Sequence, residues 1–379
     1  ILIDLLHRDV LLDGYLRIVS PQKLEGYRRS SAWAKDQRIY FCIEFDRPFH
    51  VITANGVKAK NSYKGAECRI ALGFDTPSDV VQAKVALSSV STKNAWMNLH
   101  AESADWDFQN VVAKARNAWN KELGRIEVKG ASAEQYKVFY TALYHCMVVP
   151  NVYSDVNGEY RGRDNKIHKA VGYNQYTVFS LWDTFRAWHP LMTLIDRKRT
   201  HDYILTFLAQ YKQGGLLPVW ELSANETECM IGYHAIPVIV DAWMNGIRDF
   251  DAKLALKAMR KSAESRERFG LGAYIDGGRL TLDDEHESVS KTLEYAYDDW
   301  CISQFASSIG DTAVYRNSLR RSQSWKNLFD AGTGFIRPVK NGGWLEPFDP
   351  YEVNNNFTEA NAWQYTFFVP QDVPGLKRV

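Results

Sequence analysis

Apolar positions alternate with polar ones near the start of the chain and recur at three- and four-residue steps further on, and this change of period divides the sequence. Ile1-Leu2-Ile3-Asp4-Leu5-Leu6 reads as a strand already under way. Segments 38–45 and 68–74 are β-rich, and Gly, Pro, Asn and Ser punctuate the stretches between, so residues 1–104 predict an antiparallel β-sandwich. From Asp105 the period lengthens. Val111, Val112, Ala115, Ala118, Trp119 and Leu123 fall on one helical face, predicting a linker helix that ends near Gly124, followed by a short strand at 125–128. The linker thus spans 105–131. Ser132 and Gln135 are spaced as a capping box opening a helical domain at 132–379.

That domain predicts eight helices, near 133–148, 178–194, 199–211, 227–245, 250–263, 288–308, 312–328 and 357–369. Several are apolar on more than one face, as in Met230-Ile231-Gly232-Tyr233 through Val238-Ile239-Val240, which suits helices packed between two layers. A toroid of paired inner and outer helices fits the pattern, but eight helices do not close a ring of twelve. With no start Met, no leader pattern and no stop signal at Leu376-Lys377-Arg378-Val379, both ends read as internal.

Composition narrows the function. The 379 residues carry a net charge of +1, which leaves no electrostatic footprint for DNA or RNA, and no apolar run is long enough to span a bilayer. Five scattered cysteines show neither CxxC nor zinc spacing and read as free thiols. Aromatic residues make up 13% of the chain, enough for a large core and for platforms against pyranose rings. Walker A, dinucleotide-binding, nucleophile-elbow and HExxH motifs are all absent.

Four clusters carry candidate chemistry. The first, Gly214 to Met230, holds Trp220, Asn225 and Glu226 on a loop leading into a buried helix. Asn225 reads as an N-cap, and Glu226 either favours the helix dipole or, desolvated beside Trp220, serves as a general acid. In the second, Trp182 and Asp183 start a helix with Arg186 one turn on; an ion-paired terminus and a sugar platform beside a carboxylate are both open. The third, Asp283-Asp284-Glu285-His286-Glu287, reads as a solvated loop unless it faces a ligand. The fourth, Asn354 to Tyr365, offers amide and carboxylate oxygens suited to sugar hydroxyls or to Ca²⁺, without EF-hand spacing.

Several blocks together resemble family 92 glycoside hydrolases, the calcium-dependent exo-α-mannosidases. They are Ile3-Asp4-Leu5 with His7-Arg8-Asp9, Glu25-Gly26 through Ala32-Trp33-Ala34-Lys35-Asp36-Gln37, Ser180-Leu181-Trp182-Asp183-Thr184, and Asn225-Glu226-Thr227 with Met230 to His234. Glu287 to Tyr295, Pro347-Phe348-Asp349-Pro350 and Thr358 to Tyr365 complete them. The resemblance implies an α+β chain, with an N-terminal β-sandwich and an incomplete (α/α)₆ toroid, acting on terminal α-mannosides with inversion. It implies Glu226 as general acid, Trp182, Asp183 and Trp220 against the bound sugar beside Asn225, and Glu359 and Asn361 near the sugar or Ca²⁺. His286-Glu287 is similar to the leaving-sugar subsite of α-1,2-specific members, so α-1,2-linked mannose of mannan or N-glycans is the expected substrate. The family's general base lies in an acidic Gly-Asn-Asp-Asp motif, which these residues lack, and is expected beyond Val379. The resemblance also implies a secreted, periplasmic or cell-surface protein. The alternatives are another (α/α)₆ glycosidase, glucosidase- or trehalase-like, and a mannose-binding fragment that lacks turnover.

Overall fold

A computed structural model describes residues 1–75 and 80–379. Its contacts group into two compact units, one comprising Ile1–Phe179 with Glu221–Thr227 and the other Ser180–Trp220 with Glu228–Val379. Contacts therefore divide the chain at a different place from the change of hydrophobic period.

The first unit opens with seven antiparallel strands in one sheet: β1 (Leu2–Asp4), β2 (Val10–Ser20), β3 (Lys23–Ser31), β4 (Gln37–Phe45), β5 (His50–Ala59), β6 (Ser62–Gly73) and β7 (Ala83–Ser88). The hydrogen-bonded order is β1-β6-β2-β3-β4-β7, with β5 pairing on β6. Successive side chains of a strand point to opposite faces, and Phe41 and Cys42 show the consequence. Phe41 joins a core of Leu16, Leu24, Phe45, Ile70 and Leu72, whereas Cys42 packs with Ala95 and Leu99 of helix α1 (Thr92–Glu102). Strand β7 and α1 are tied to a loop beyond residue 152 by buried Asp155, which accepts bonds from Ser88 Oγ (2.7 Å), Asn94 Nδ2 (2.8 Å) and Asn98 Nδ2 (2.8 Å).

The linker helix forms as α2 (Phe108–Leu123), capped by Asp107. The Ser132–Gln135 capping box forms in both directions at the start of α3 (Ala133–Cys146). The strand expected at 125–128 does not form, since Arg125 closes a turn onto Glu122.

The second unit contains α4 (Leu181–Thr184), α5 (Trp188–Ile195), α6 (Arg197–Gly214), α7 (Ala235–Met244), α8 (Ala252–Ala263), α9 (Leu271–Gly277), α10 (Ser288–Ser308), α11 (Thr312–Arg321) and α12 (Ala362–Tyr365). Its centre is α10, which packs on α7, α8 and α11 and matches its expected span. It buries polar groups along its length, Lys291, Glu294, Asp298 and Asp299 among them. Other boundaries move. The helix expected at 178–194 breaks into α4 and α5, and that at 357–369 shrinks to the four residues of α12. An antiparallel β domain followed by a helical one is the fold, as the sequence predicts.

Candidate functional site

The stretch read as a capped helix start at Asn225 is a hairpin. Strand Trp220–Leu222 pairs with Asn225–Glu226, Glu221 opposite Glu226 and Leu222 opposite Asn225. The two turn residues are left-handed, Ser223 at φ 50° and Ala224 at φ 66°, the backbone of a tight primed turn that normally selects Asn and Gly. Because neither residue is glycine, the turn depends on side-chain support. Thr177 Oγ1 accepts the Ser223 N–H (2.7 Å) and donates to Glu221 Oε1 (2.9 Å), which also accepts the Ala224 N–H (2.6 Å). Asn225 is held on the far side: its Oδ1 accepts the Asp36 N–H (3.0 Å) and its Nδ2 donates to the carbonyls of Ser223 (2.9 Å) and Asp36 (3.2 Å). Asp36 is itself clamped by Arg29 and Arg38, whose hydrogen bonds hold its carboxyl far below the usual carboxylate range.

This frame fixes Glu226. Its side chain is 10% exposed, with one oxygen 3.7 Å from Arg163 Nη2. Arg163 comes from a second hairpin, Glu159–Arg161 with Ile167–Lys169. That hairpin is anchored by buried Arg161, which donates to the carbonyls of Ser89 (3.0 Å) and Asn165 (3.0 Å). Beside Glu226 on the same face of the ladder lies Glu221, only 1% exposed, its Oε2 buried without a hydrogen-bond partner among the described residues. Burial pushes Glu221 up to about 7, against the hydrogen bonds from Ala224 and Thr177 and the charge of Arg163. Sequence reasoning missed both. Glu221 lies within the loop read from Gly214 to Met230 with no role of its own, and Arg163 lies 63 positions upstream of Glu226 in a stretch without a motif.

In the second unit several of the remaining predicted residues lie on or against α10. Trp182 is half-buried, and its indole N–H donates to Glu294 (3.0 Å). Arg186 does not pair with Asp183: it reaches Glu294 (2.9 Å) and lies 5.3 Å from the centre of the Trp182 ring, while Ser180 Oγ donates to Asp183. Glu294 wins because it is wholly buried, where an unpaired charge is far more costly than at exposed Asp183. Tyr365 also donates to Glu294 (3.3 Å), and His234 stands between Glu294 (3.1 Å) and Asp298 (2.8 Å). Burial alone would lower His234, but the two carboxylates outweigh it and push the imidazole up to about 9. Glu294, with Arg186 also facing it, is held below its ordinary value although burial opposes this.

Asp183 and exposed Glu359 both act on the Cys229 thiol, which burial raises first and these two charges raise further. They therefore share one edge of the unit. His286 and Glu287 sit at the start of α10, where Lys291 Nζ lies 3.4 Å from His286 and 3.8 Å from Glu287. The loop before Glu359 runs along this turn, since Glu287 N–H donates to Asn355 (2.8 Å) and Thr358 N–H to Ser290 (2.8 Å). Trp220 is half-buried at the head of its strand.

Asn361 caps α12: its Oδ1 accepts the Gln364 N–H (3.2 Å), its Nδ2 donates to Tyr351 (3.2 Å), and Gln364 completes a capping box. Ca²⁺ takes six to eight oxygen ligands. Among the described residues no three His, Cys, Asp or Glu side chains gather as a metal site, so Glu359 and a capped Asn361 do not by themselves make up such a shell.

Comparison with known proteins follows the same two-part layout. Residues 1–88 match the N-terminal domain of glycosyl hydrolase family 92, and residues 94–379 match the catalytic domain of that family. A solved family 92 α-mannosidase from Bacteroides thetaiotaomicron is 34% identical with a TM-score of 0.94, over 99% of this chain and 52% of its own. A second, an inverting family 92 mannosidase from the same species, is 30% identical with a TM-score of 0.91, over 100% of this chain and 53% of its own. An uncharacterized secreted glycosidase of Arthroderma benhamiae is 26% identical over 392 residues, 92% of this chain and 46% of the relative. The chain spans about half the length of these relatives. Two domain profiles in order, covering almost every residue, carry the conclusion: the chain belongs to glycosyl hydrolase family 92.

Proposed function

We propose that this chain is the acid-bearing part of an exo-acting α-mannosidase that removes terminal α-1,2-linked mannose from mannose-rich oligosaccharides with inversion. The observation that carries the reading is Glu226, a carboxyl nine-tenths buried on a hairpin cross-braced from both sides. A general acid must hold its proton at one place, within reach of the leaving oxygen, and an immobile and largely desolvated carboxyl meets that demand. The family resemblance assigns Trp182, Asp183, Trp220, Asn225 and Glu359 to the mannose, and His286 with Glu287 to the leaving sugar. Inversion needs a second carboxylate roughly 6.5–9.5 Å away to activate water. The family resemblance assigns it to an acidic motif absent from these residues. Calcium dependence rests on that resemblance alone. Export is supported by a relative described as secreted; among the described residues no helix is long and apolar enough to cross a membrane.

The test is turnover of α-1,2-mannobiose by the complete protein, with the product anomer followed by NMR. Glu226→Gln is expected to lower kcat by roughly 10²- to 10⁴-fold with the fold intact. Unchanged turnover removes Glu226 from the acid role; glucose release from glucosides, insensitive to a chelator, replaces mannosidase by a different glycosidase.

A further inference from the structure

The hairpin carries two carboxyls where the chemistry assigned to it needs one. Glu221 and Glu226 are direct cross-strand partners, so their Cβ atoms are about 4.5–5.5 Å apart on one face. Glu221 is sealed, and one of its oxygens braces the turn while the other is buried with no hydrogen-bond partner among the described residues. A buried carboxylate with an idle oxygen is costly, and a proton on that oxygen removes the cost. The groups that act on Glu221 are Arg163, Glu226 and, more weakly coupled, the phenol of Tyr153. One guanidinium therefore faces two carboxyls, and two like charges this close inside a protein do not both ionise readily.

We propose that Glu221 is a positioning residue for Glu226, bracing the turn that presents the acid and sharing a single proton with it across the hairpin. The inference rests on the acid role proposed for Glu226. In the resting pair, one proton serves the two carboxyls, because the buried hairpin offers them a single guanidinium. When Glu226 gives that proton to the glycosidic oxygen, the pair becomes doubly negative against Arg163, and uptake of one proton from water restores it. Burial already biases Glu221 toward titrating near neutral pH, which places the exchange in the working range.

Glu221→Gln separates this role from bracing, because the amide oxygen still accepts from Ala224 and Thr177 while the charge is gone. In the complete protein the alkaline limb of kcat/KM is expected to move about 1 pH unit lower, a tenfold loss above the limb, with KM unchanged on the acid side. A brace alone would lower kcat evenly at every pH, so a profile of wild-type shape overturns the proposal. A second measurement needs neither activity nor a folded Glu221 variant. The ¹³C-carboxyl titration of Glu221 is followed in wild type and in Glu226→Gln. Its midpoint is expected to fall when the neighbouring charge is removed, and an unmoved midpoint shows the two are uncoupled. If Glu226→Gln retains full turnover, the acid reading fails and this inference with it; if turnover is lost but the Glu221→Gln profile is unshifted, only this inference fails.

Discussion

Asn361 illustrates how one side chain can satisfy two readings. It was marked as a metal or sugar ligand, and it caps α12 with both its oxygen and its amide engaged. Asn361→Ala is expected to cost about 1 kcal/mol in urea unfolding, and Asn361→Ser, which also caps, to recover it. Activity lost in both variants would belong to a ligand role. Gly232 is a sharper case. It adopts φ 81°, and a Cβ there would stand 2.2 Å from His234 Nε2. Gly232→Ala must displace an imidazole wedged between two buried carboxylates, and is expected to lower stability by roughly 3 kcal/mol or more, read from the urea midpoint.

At the scale of elements, legibility followed how local the determinants are. The Ser132–Gln135 box, the end of α2 near Gly124 and the full span of α10 were readable because a few neighbouring residues decide them. The segment 220–226 was misread because Asn225 has the side chain of an N-cap, while its partners, Asp36 and Thr177, lie far off in sequence. The role of Glu226 was visible only through resemblance. Its support from Glu221 and Arg163 was not, since one has no role of its own in the sequence pattern and the other sits on an unrelated hairpin. The hairpin's dependence on remote braces gives its own test. Thr177→Val removes the hydroxyl that joins the Ser223 N–H to Glu221, leaving that N–H without its acceptor and Glu221 Oε1 with the Ala224 N–H alone. A loss of about 1–3 kcal/mol in urea unfolding is expected, with Thr177→Ser near wild type.

For the whole molecule, buried titratable groups make stability depend on pH, and above neutrality they act in one direction. Glu221, at about 7, and Asp299, at about 6, are both raised by burial, so the folded state holds their protons after the unfolded chain has released its own near pH 4. Each thus contributes a loss of stability as pH rises through that window. His234 acts in the same sense at higher pH. Its pairing stabilises the fold fully below the unfolded value near 6.5 and is lost as pH rises through about 9, on the order of 3 kcal/mol. Asp36, held low by Arg29 and Arg38, works the other way but only in acid, where protonating it removes its ion pairs. Buried His189, pushed down to about 3 by burial, opposes Glu221 and Asp299 below its ordinary value near 6.5, so the urea midpoint is expected to fall from pH 7 to pH 9.5, where His234 dominates. A midpoint that is flat or rises between pH 7 and 9 would mean that the imidazole of His234 enters the folded state neutral, and with it that Arg186 and not His234 supplies the positive charge beside Glu294.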